Sequence, residues 1–305
     1  MTQSPPIAEQ VILITGASAG IGAALARRLA SQFLGIRLVL AARNQEKLEA
    51  VATDCRKAGA DVLVVPTDMS EVEQVKALAQ KALERFGRVD ALVNNAGYGQ
   101  MGPVELISPD DAKRQFAVNF HGPLVLCQAL IPQMRDRGGG RIINVSSLGG
   151  RVPFPAGGMY SPSKFALEAL SDVMRMELGA FNIKVSVIEP GPVTTEFFSV
   201  AGDKVDLNVP ESGKQLYRAA IEGIKDIERQ TARLAWSSER VANVMVRALT
   251  ARHPRPRYVA ATGGRMMLFL MTKLLPTAVV DRFWKRFYKI DQVEKDWQNR
   301  AQSVR

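Results

Sequence analysis

A glycine-rich turn between an apolar run and a helical pattern constrains the fold of this chain more than any other feature. Residues 11–14 form an apolar run of strand length, residues 15–22 read TGASAGIG, and apolar residues then recur at helical spacing. Strand, glycine turn and helix in this order are typical of a βα unit that binds a phosphate at the amino terminus of its helix. We expect Gly16 to allow the tight turn, Gly20 to let the backbone approach a pyrophosphate, and Gly22 to let helix and strand pack closely.

Strand-like and helix-like segments continue to alternate after this unit. Strands are predicted at 36–42, 62–65 and 91–93, with helices at 45–57 and 71–86 between them. Parallel strands joined by helices form a doubly wound sheet with right-handed crossovers, and strands this apolar are covered on both faces. We therefore predict an α/β fold, a Rossmann-type doubly wound parallel sheet in a single domain, followed by a C-terminal helical extension.

The end of the second strand bears on the choice of nucleotide. A site for NAD is expected to place an acidic residue about twenty positions after the glycines, where it holds the ribose 2′-hydroxyl. Arg43 stands there instead, and a guanidinium suits a 2′-phosphate. This favours NADP(H) as the cofactor, with Ser18 as a second contact; the alternative is a solvated arginine after a strand.

A second constellation lies in the other half of the chain, after a strand predicted at 141–145. Tyr160 and Lys164 are four residues apart on a predicted helix and so share one face. A cation beside a phenol favours the phenolate and lowers the pKa toward the range that general acid catalysis requires. Ser147, at the end of the strand, brings a hydroxyl to the same place. Tyr-x-x-x-Lys alone would equally fit a surface pair on an amphipathic helix.

Taken together, these motifs resemble the classical short-chain dehydrogenase/reductase family over residues 6–262. The serine lies thirteen residues before the tyrosine and the lysine four residues after it, which matches the spacing of that family. The elements that carry the resemblance are TGASAGIG at 15–22, Asp68, NNAG at 94–97, Asn119, Ser147, Tyr160, Lys164 and PGPVTT at 190–195.

The resemblance implies roles for four catalytic residues. Tyr160 gives a proton to a carbonyl oxygen, or takes one from an alcohol, while a hydride moves between substrate and nicotinamide. Ser147 hydrogen-bonds the reacting oxygen, Lys164 holds the nicotinamide ribose and lowers the pKa of Tyr160, and Asn119 anchors a water in a proton relay. A polar residue inside a helix is the alternative interpretation of Asn119.

The resemblance also implies a set of cofactor-binding residues. Asp68 meets the adenine, although a helix N-cap is an alternative role for it, and Thr195 contacts the nicotinamide end. The whole expected set is Gly16, Ser18, Gly20, Ile21, Gly22, Arg43, Asp68, Asn95, Ala96, Gly97, Tyr160, Lys164, Pro190, Gly191 and Thr195.

The resemblance also implies a domain organisation. Residues 7–262 are predicted to form an NADP-binding catalytic domain, within which 193–236 closes over the substrate. The pocket is expected to be mainly apolar. The residues expected to line it are Phe154, Pro155, Met159, Phe197, Phe198, Leu216 and Tyr217.

The remaining segment, 263–305, is predicted to be a basic, amphipathic, helical extension. Net charge is +10, and nine Lys or Arg against one acid lie between 252 and 289. Its apolar runs are shorter than the roughly 20 residues of a transmembrane helix. Apolar and aromatic residues interleaved with cations indicate an anionic membrane surface as a partner. The alternative is packing on the core or on a second subunit, and nucleic acid is not expected as a partner because no nucleic-acid motif accompanies the charge.

The leading hypothesis is an NADP(H)-dependent reductase of a hydrophobic ketone of steroid, retinoid or long-chain acyl type, acting in lipid metabolism. Oxidation of the matching alcohol and a non-catalytic NADPH-binding sensor or scaffold are the alternatives. The N-terminal residues lack the pattern of a signal peptide, so a cytoplasmic protein, peripherally associated with membranes, is expected. The family further implies a homodimer or homotetramer. Neither the two cysteines nor the two histidines have metal-ligand spacing, and no metal is expected.

Overall fold

The computed structural model describes residues 5–195, 197 and 211–303. Within them, seven strands form one parallel sheet in the order β3-β2-β1-β4-β5-β6-β7. The strands are β1 (Val11–Thr15), β2 (Arg37–Ala42), β3 (Asp61–Pro66), β4 (Ala91–Asn94), β5 (Gly140–Val145), β6 (Ile183–Pro190) and β7 (Arg257–Ala260). The predicted doubly wound parallel sheet is confirmed, and each predicted strand lies within about two residues of its observed bounds.

Helices cover both faces of this sheet. In chain order the α-helices are α1 (Gly20–Gln32), α2 (Gln45–Lys57), α3 (Val72–Phe86), α4 (Pro109–Phe116), α5 (Gly122–Asp136), α6 (Tyr160–Leu178), α7 (Glu211–Leu216), α8 (Arg218–Thr231), α9 (Ser238–Thr250), α10 (Gly264–Phe269), α11 (Thr277–Phe287) and α12 (Ile290–Ser303). The last three form the predicted helical extension. A single turn of π-helix, Ala117–His121, joins α4 to α5. Another, Leu270–Leu274, follows α10.

Side chains of β1 show how the two layers arise. Ile12 and Ile14 pack into the core formed with α1, α2 and α9, whereas Val11 and Leu13 pack into the core formed with α3, α5 and α6. Successive residues of a strand point to opposite faces, so a run that is apolar at every position requires helices on both sides.

The position of the functional site follows from the strand order. β1 pairs with both β2 and β4, so the chain reverses its direction of winding between β1 and β4. In open parallel sheets, ligands bind beyond the carboxyl ends of the strands at such a reversal. The loop after Thr15 and the loop after Asn94 lie at this place.

Candidate active site

An elongated cleft of about 950 Å³ lies along the loops that follow β1, β2, β3 and β4. Its walls contain most of the predicted cofactor-binding residues. Those are Gly16, Ser18, Gly20, Ile21, Arg43, Asp68, Asn95, Ala96, Gly97 and Thr195.

The floor of the cleft is a turn that only glycine accommodates. Gly16 and Gly20 have φ angles of +67° and +54°, in the left-handed region that favours glycine. Gly22 faces inward, and a Cβ there would overlap the carbonyl oxygen of Gly16. The Asn95 side chain fixes the turn by donating to the carbonyl oxygens of Thr15, at 2.9 Å, and Gly16, at 3.2 Å.

The amino terminus of α1 opens into this cleft. The helix begins at Gly20, its N-cap residue Ala19 makes no side-chain hydrogen bond, and its first turn holds no acidic residue. The first N–H groups of a helix have no partner within the helix and carry a partial positive charge. The cleft therefore fits a dinucleotide whose pyrophosphate meets these N–H groups.

Arg43 and Asp68 lie at the far end of the same cleft. The Asp68 carboxylate accepts hydrogen bonds from the backbone N–H and the hydroxyl of Ser70, at 2.9 and 2.7 Å. Burial alone would raise the pKa of Asp68, but these bonds and the charges of Arg43 and Arg114 outweigh burial and lower it. Asp68 is not the N-cap of α3, since that position is occupied by Glu71.

A second, smaller cavity of about 420 Å³ continues from the cleft and shares Ile21, Asn95, Gly97, Thr195 and Phe197 with it. Ser147, Tyr160 and Lys164 lie in its wall, as do Pro190 and Gly191. Tyr160 is the first residue of α6, and Ser147 follows β5 by two residues. The structure thus brings the predicted serine, tyrosine and lysine to one point, directly beside the cleft.

The protonation of Tyr160 differs from the expectation. Burial raises the pKa of Tyr160 to about 12, and the hydrogen bond with Ser147 offsets only part of that effect. Lys164 does not lower the pKa of the phenol here; its ammonium donates to the carbonyl oxygen of Val145 at 2.8 Å. Burial lowers the pKa of Lys164 itself to about 8. Desolvation disfavours both charged forms, so Tyr160 keeps its proton at neutral pH.

Asn119 lies behind these residues, within the π-helical turn. Its side chain is buried, donates to the Tyr98 carbonyl oxygen and to the Ser163 hydroxyl, each at 3.1 Å, and accepts from the Tyr98 N–H at 3.2 Å. A Cβ added to Gly97 would meet Asn119 Oδ1 and Lys164 Nζ at 3.2 and 3.3 Å, so both atoms lie against Gly97. A π-turn of this kind is frequent at functional sites.

A buried ionic cluster stands on the other side of Lys164. Glu168 and Glu189 are 4% and 0% exposed, and Arg257 Nε lies 3.1 Å from one carboxylate and 3.4 Å from the other. Arg151 pairs with Glu189 at 2.7 Å. Burial, and then the charge of Glu189, raise the pKa of Glu168 to about 7. In turn, the negative charge of Glu168 raises the pKa of Lys164 against the effect of burial.

The outer wall of the smaller cavity is apolar and comes largely from the C-terminal part of the chain. Phe154, on the loop before α6, stacks on Tyr288, and Trp284 packs against both rings. The wall also includes residues of α8, of the turn after it and of the extension. These are Ile227, Gln230, Thr231, Leu234, Met267, Met271, Phe283, Trp284, Phe287 and Tyr288.

The predicted pocket is therefore correct in character and only partly correct in residues. Phe154 and Phe197 line the cavity, and Phe198 lies outside the described residues. Pro155, Met159, Leu216 and Tyr217 are not among the lining residues, because α8 and the extension take the place expected for them. Tyr217 instead packs beside the cavity and donates to the Glu105 carboxylate.

Sequence reasoning missed several residues that position this site. The Thr15 hydroxyl accepts from the N–H groups of Asn95 and Ala96, each at 3.0 Å, and so ties β1 to the loop after β4. Asn94, at the end of β4, donates to the buried Asn144 side chain of β5 at 2.9 Å. Thr15 and Asn94 are the first residues of the motifs TGASAGIG and NNAG. Each is a polar residue at the end of an apolar strand, and this pattern was the sequence signal that could have identified them as residues that position the site.

The chain matches the family model for short chain dehydrogenases over residues 10–206. Together with the glycine turn and the serine, tyrosine and lysine around one cavity, this match decides the family. The chain belongs to the short-chain dehydrogenase family. It is accordingly an oxidoreductase with a Rossmann fold, and the family uses NAD(P).

Several relatives of this short-chain dehydrogenase have descriptive names. It is 39% identical to a dehydrogenase/reductase SDR family protein 7-like of Anopheles gambiae over 61% of this chain and 60% of the relative. It is 32% identical to the uncharacterized oxidoreductase YbbO of Escherichia coli over 90% of this chain and 94% of that protein. It is 35% identical to a 3-ketodihydrosphingosine reductase of Bacteroides thetaiotaomicron over 62% and 65% of the two chains.

Solved structures contain either nucleotide. A metagenomic short-chain oxidoreductase in complex with NADP is 31% identical, with a TM-score of 0.65 over 82% of this chain and 96% of that one. A short-chain dehydrogenase/reductase of Burkholderia phymatum in complex with NAD is 28% identical, with a TM-score of 0.74 over 86% and 92%. No helix among the described residues of this short-chain dehydrogenase is both long and apolar enough to cross a membrane.

Proposed function

We propose that this short-chain dehydrogenase is an NADP(H)-dependent reductase of a hydrophobic ketone. The observation that carries the proposal is the cavity of about 420 Å³, which has Ser147 and Tyr160 at its inner end and aromatic and aliphatic side chains around the remainder. A cavity of this volume accepts a molecule of drug size. Steroid-like, retinoid-like and long-chain acyl ketones fit its apolar character.

Arg43 supports the choice of NADP(H). Like Ser18, it lies in the wall of the cofactor cleft, and it stands where an acidic residue would be required to hold an unmodified ribose. The guanidinium presents several donors to a phosphate. The solved relatives include a complex with NADP and a complex with NAD. The choice of NADP(H) for this chain therefore rests on Arg43.

The mechanism assigns a separate task to each side chain. NADPH, when bound, supplies the hydride that the substrate carbon receives. Tyr160 donates its phenolic proton to the carbonyl oxygen, and the Ser147 hydroxyl holds that oxygen in place by a hydrogen bond. Lys164, which lies against Gly97, would hold the nicotinamide ribose, and Asn119 would anchor the water through which Tyr160 regains its proton.

Protonation of Tyr160 supports reduction over oxidation. With its pKa raised to about 12 by burial, the phenol carries its proton at neutral pH and is ready to donate it. Oxidation of the matching alcohol would require the phenolate, which burial disfavours. One relative in the comparison is also named a ketone reductase, the 3-ketodihydrosphingosine reductase.

The test is oxidation of NADPH and NADH by the purified chain across ketones that range from small diketones to steroid and long-chain ketones. We expect turnover with NADPH on the lipophilic members. Tyr160→Phe should lower kcat by at least about a hundredfold, since a positioned general acid contributes 10²- to 10⁴-fold, while NADPH binding remains. Ser147→Ala serves as a second variant that keeps the phenol.

Two results would contradict the proposal. Retained turnover in Tyr160→Phe would remove the assigned acid. Tight NADPH binding with no turnover on any ketone or alcohol would instead favour the non-catalytic sensor or scaffold.

We also propose a homodimer or homotetramer. In support, α6 presents the exposed apolar side chains of Phe165, Val173 and Met176 away from the core. Light scattering of the purified chain measures the assembly, and Val173→Asp with Met176→Asp should yield a monomer if this helix forms the contact.

A further inference from the structure

The extension exposes large apolar side chains along α10, the bend after it and α11. Met266 and Phe269, three residues apart on α10, are 62% and 56% exposed. Leu274 and Leu275 follow at the bend before α11, with exposures of 62% and 38%, and Val279 continues on α11 at 47%. We call these five residues the apolar ridge. Exposed apolar residues in such a group mark an interaction surface more often than isolated ones do.

Phe283 connects this ridge with the active-site cavity. It lies one turn after Val279 on α11, is 48% exposed, and also belongs to the lining of the cavity. Its neighbour Trp284 faces the inner wall, where it packs on Phe154. The exposed apolar residues of the extension thus continue along α11 to a residue of the cavity wall.

Cations alternate with the ridge residues along the chain. Arg265, Lys273, Arg282, Lys285 and Arg286 are exposed and, among the described residues, none has an acidic partner within salt-bridge distance. Only one acid, Asp281, lies between residues 265 and 286. Elsewhere in the protein several exposed arginines and lysines form ion pairs, as Arg27 does with Asp54 and Arg56 with Glu49.

From these observations we infer that the apolar ridge docks on the surface of an anionic lipid bilayer and that the ketone enters the cavity from the lipid past Phe283. Apolar side chains would insert among the acyl chains, while the unpaired cations meet anionic head groups. The charge around the ridge favours this partner over a neutral protein surface. The entry route rests on the proposed ketone reduction, whereas the docking surface does not.

The binding experiment uses sedimentation of the full chain with vesicles of phosphatidylcholine alone and with 30% phosphatidylglycerol. We expect binding to the anionic vesicles and release by salt, because electrostatic attraction is screened beyond about 10 Å at 0.1 M salt. Two triple variants test the ridge, Met266→Ser/Phe269→Ser/Leu274→Ser and Arg265→Glu/Lys273→Glu/Arg282→Glu. Each should lower the partition coefficient at least about tenfold. The first variant removes apolar area that inserts into the bilayer, and the second removes attraction between basic residues and the anionic surface.

Matched variants on the rest of the protein control for charge and hydrophobicity. Arg28→Glu/Lys57→Glu/Lys81→Glu makes the same change in net charge on α1, α2 and α3. A second control, Leu34→Ser/Val72→Ser/Val104→Ser, removes three exposed apolar side chains that are 79%, 45% and 69% exposed. Both controls should partition like the unmodified chain, and circular dichroism verifies that every variant is folded.

The activity experiment separates the two proposals. NADPH oxidation with a water-soluble ketone should be the same in the ridge variants and the unmodified chain, whereas turnover of a vesicle-dissolved ketone should fall with partition. Failure of the soluble assay in all chains would overturn the proposed function alone. Equal partition of the ridge variants and the controls would overturn the docking surface. A change from dimer to monomer on ridge substitution, without vesicle binding by any chain, would identify a second copy as the occupant and also overturn it.

Discussion

The rings of Phe154 and Tyr288 lie parallel, with centroids 5.2 Å apart and an interplanar angle of 9°. Phe154 belongs to the loop before α6 and Tyr288 caps the end of α11, so the contact joins the region of Ser147, Tyr160 and Lys164 to the extension. Tyr288 is only 5% exposed. The extension consequently packs on the domain and forms part of the wall of the cavity.

Tyr288→Ala should open the substrate cavity. Removal of the ring ends the stack on Phe154 and leaves a space beside the substrate, so we expect KM for a bulky ketone to rise about tenfold, in line with the 1–3 kcal/mol that hydrophobic pocket contacts contribute. Affinity for NADPH should not change, because the ring lies outside the cofactor cleft. Steady-state kinetics and fluorescence titration measure the two quantities. Tyr288→Phe keeps the ring and is the control; an equal rise in KM for both variants would contradict the role of stacking.

Arg43→Ala should reduce the preference for NADPH. Loss of one charge-assisted contact to a phosphate costs roughly 1.5–3 kcal/mol, which corresponds to about ten- to a hundredfold in KM for NADPH. KM for NADH should change little. Arg43→Lys keeps the charge without the planar fork and should give an intermediate value. An equal loss for both nucleotides would show that Arg43 does not bind the 2′-phosphate.

Glu168 should give the protein a pH-dependent stability. Its pKa in the fold, about 7, exceeds the ordinary value of 4.5, so the folded state binds this proton more tightly than the unfolded state. The resulting stabilisation is complete below about pH 4.5 and is lost as the pH rises through 7, with a slope of at most about 1.4 kcal/mol per pH unit.

Urea denaturation between pH 4.5 and 7.5 measures this slope, and Glu168→Gln should make the profile flatter in that window. The Glu168 carboxylate is faced by Glu189, Arg151, Arg257 and Lys164. The control variant therefore leaves all four of these residues in place. Glu177→Gln, on an exposed position of the same helix, should retain the slope of the unmodified chain. A Glu168→Gln profile that parallels the unmodified one would contradict the raised pKa.

Gly22→Ala should be strongly destabilising, because its Cβ would overlap the Gly16 carbonyl oxygen and lie 2.6 Å from Asn95 Nδ2. Overpacking of this kind typically costs 1–3 kcal/mol, and we expect a fall in Tm of several degrees together with weaker NADPH binding. Gly179→Ala is the matched control, since a Cβ there meets no atom within 4 Å and the backbone is right-handed helical. Its Tm should be unchanged or slightly higher; similar losses in both would exclude the steric explanation.

The sequence was sufficient to predict the parts of this protein that depend on local order along the chain. Alternating apolar strands and amphipathic helices determined the sheet, and the spacing of Tyr160 and Lys164 placed both on one helical face. The raised pKa of Tyr160 was not predictable, because it reflects burial by Phe197 and by segments far away in sequence. Likewise, the partners of Trp284 and Tyr288 depend on how the extension folds back, which no periodicity encodes.

The division of the cavity wall has a consequence for how this enzyme changes over time. The match to the family model ends at residue 206, whereas Ile227, Met267, Trp284 and Tyr288 all lie beyond it and still line the cavity. Ser147, Tyr160 and Lys164 therefore lie in one short stretch of the chain, whereas the cavity wall combines Phe154 from that stretch with residues of the C-terminal part. A substitution, insertion or exchange in the extension changes the outer wall of the cavity and leaves the sequence around Ser147, Tyr160 and Lys164 untouched, so we expect grafting of this one segment to change which molecules the cavity accepts.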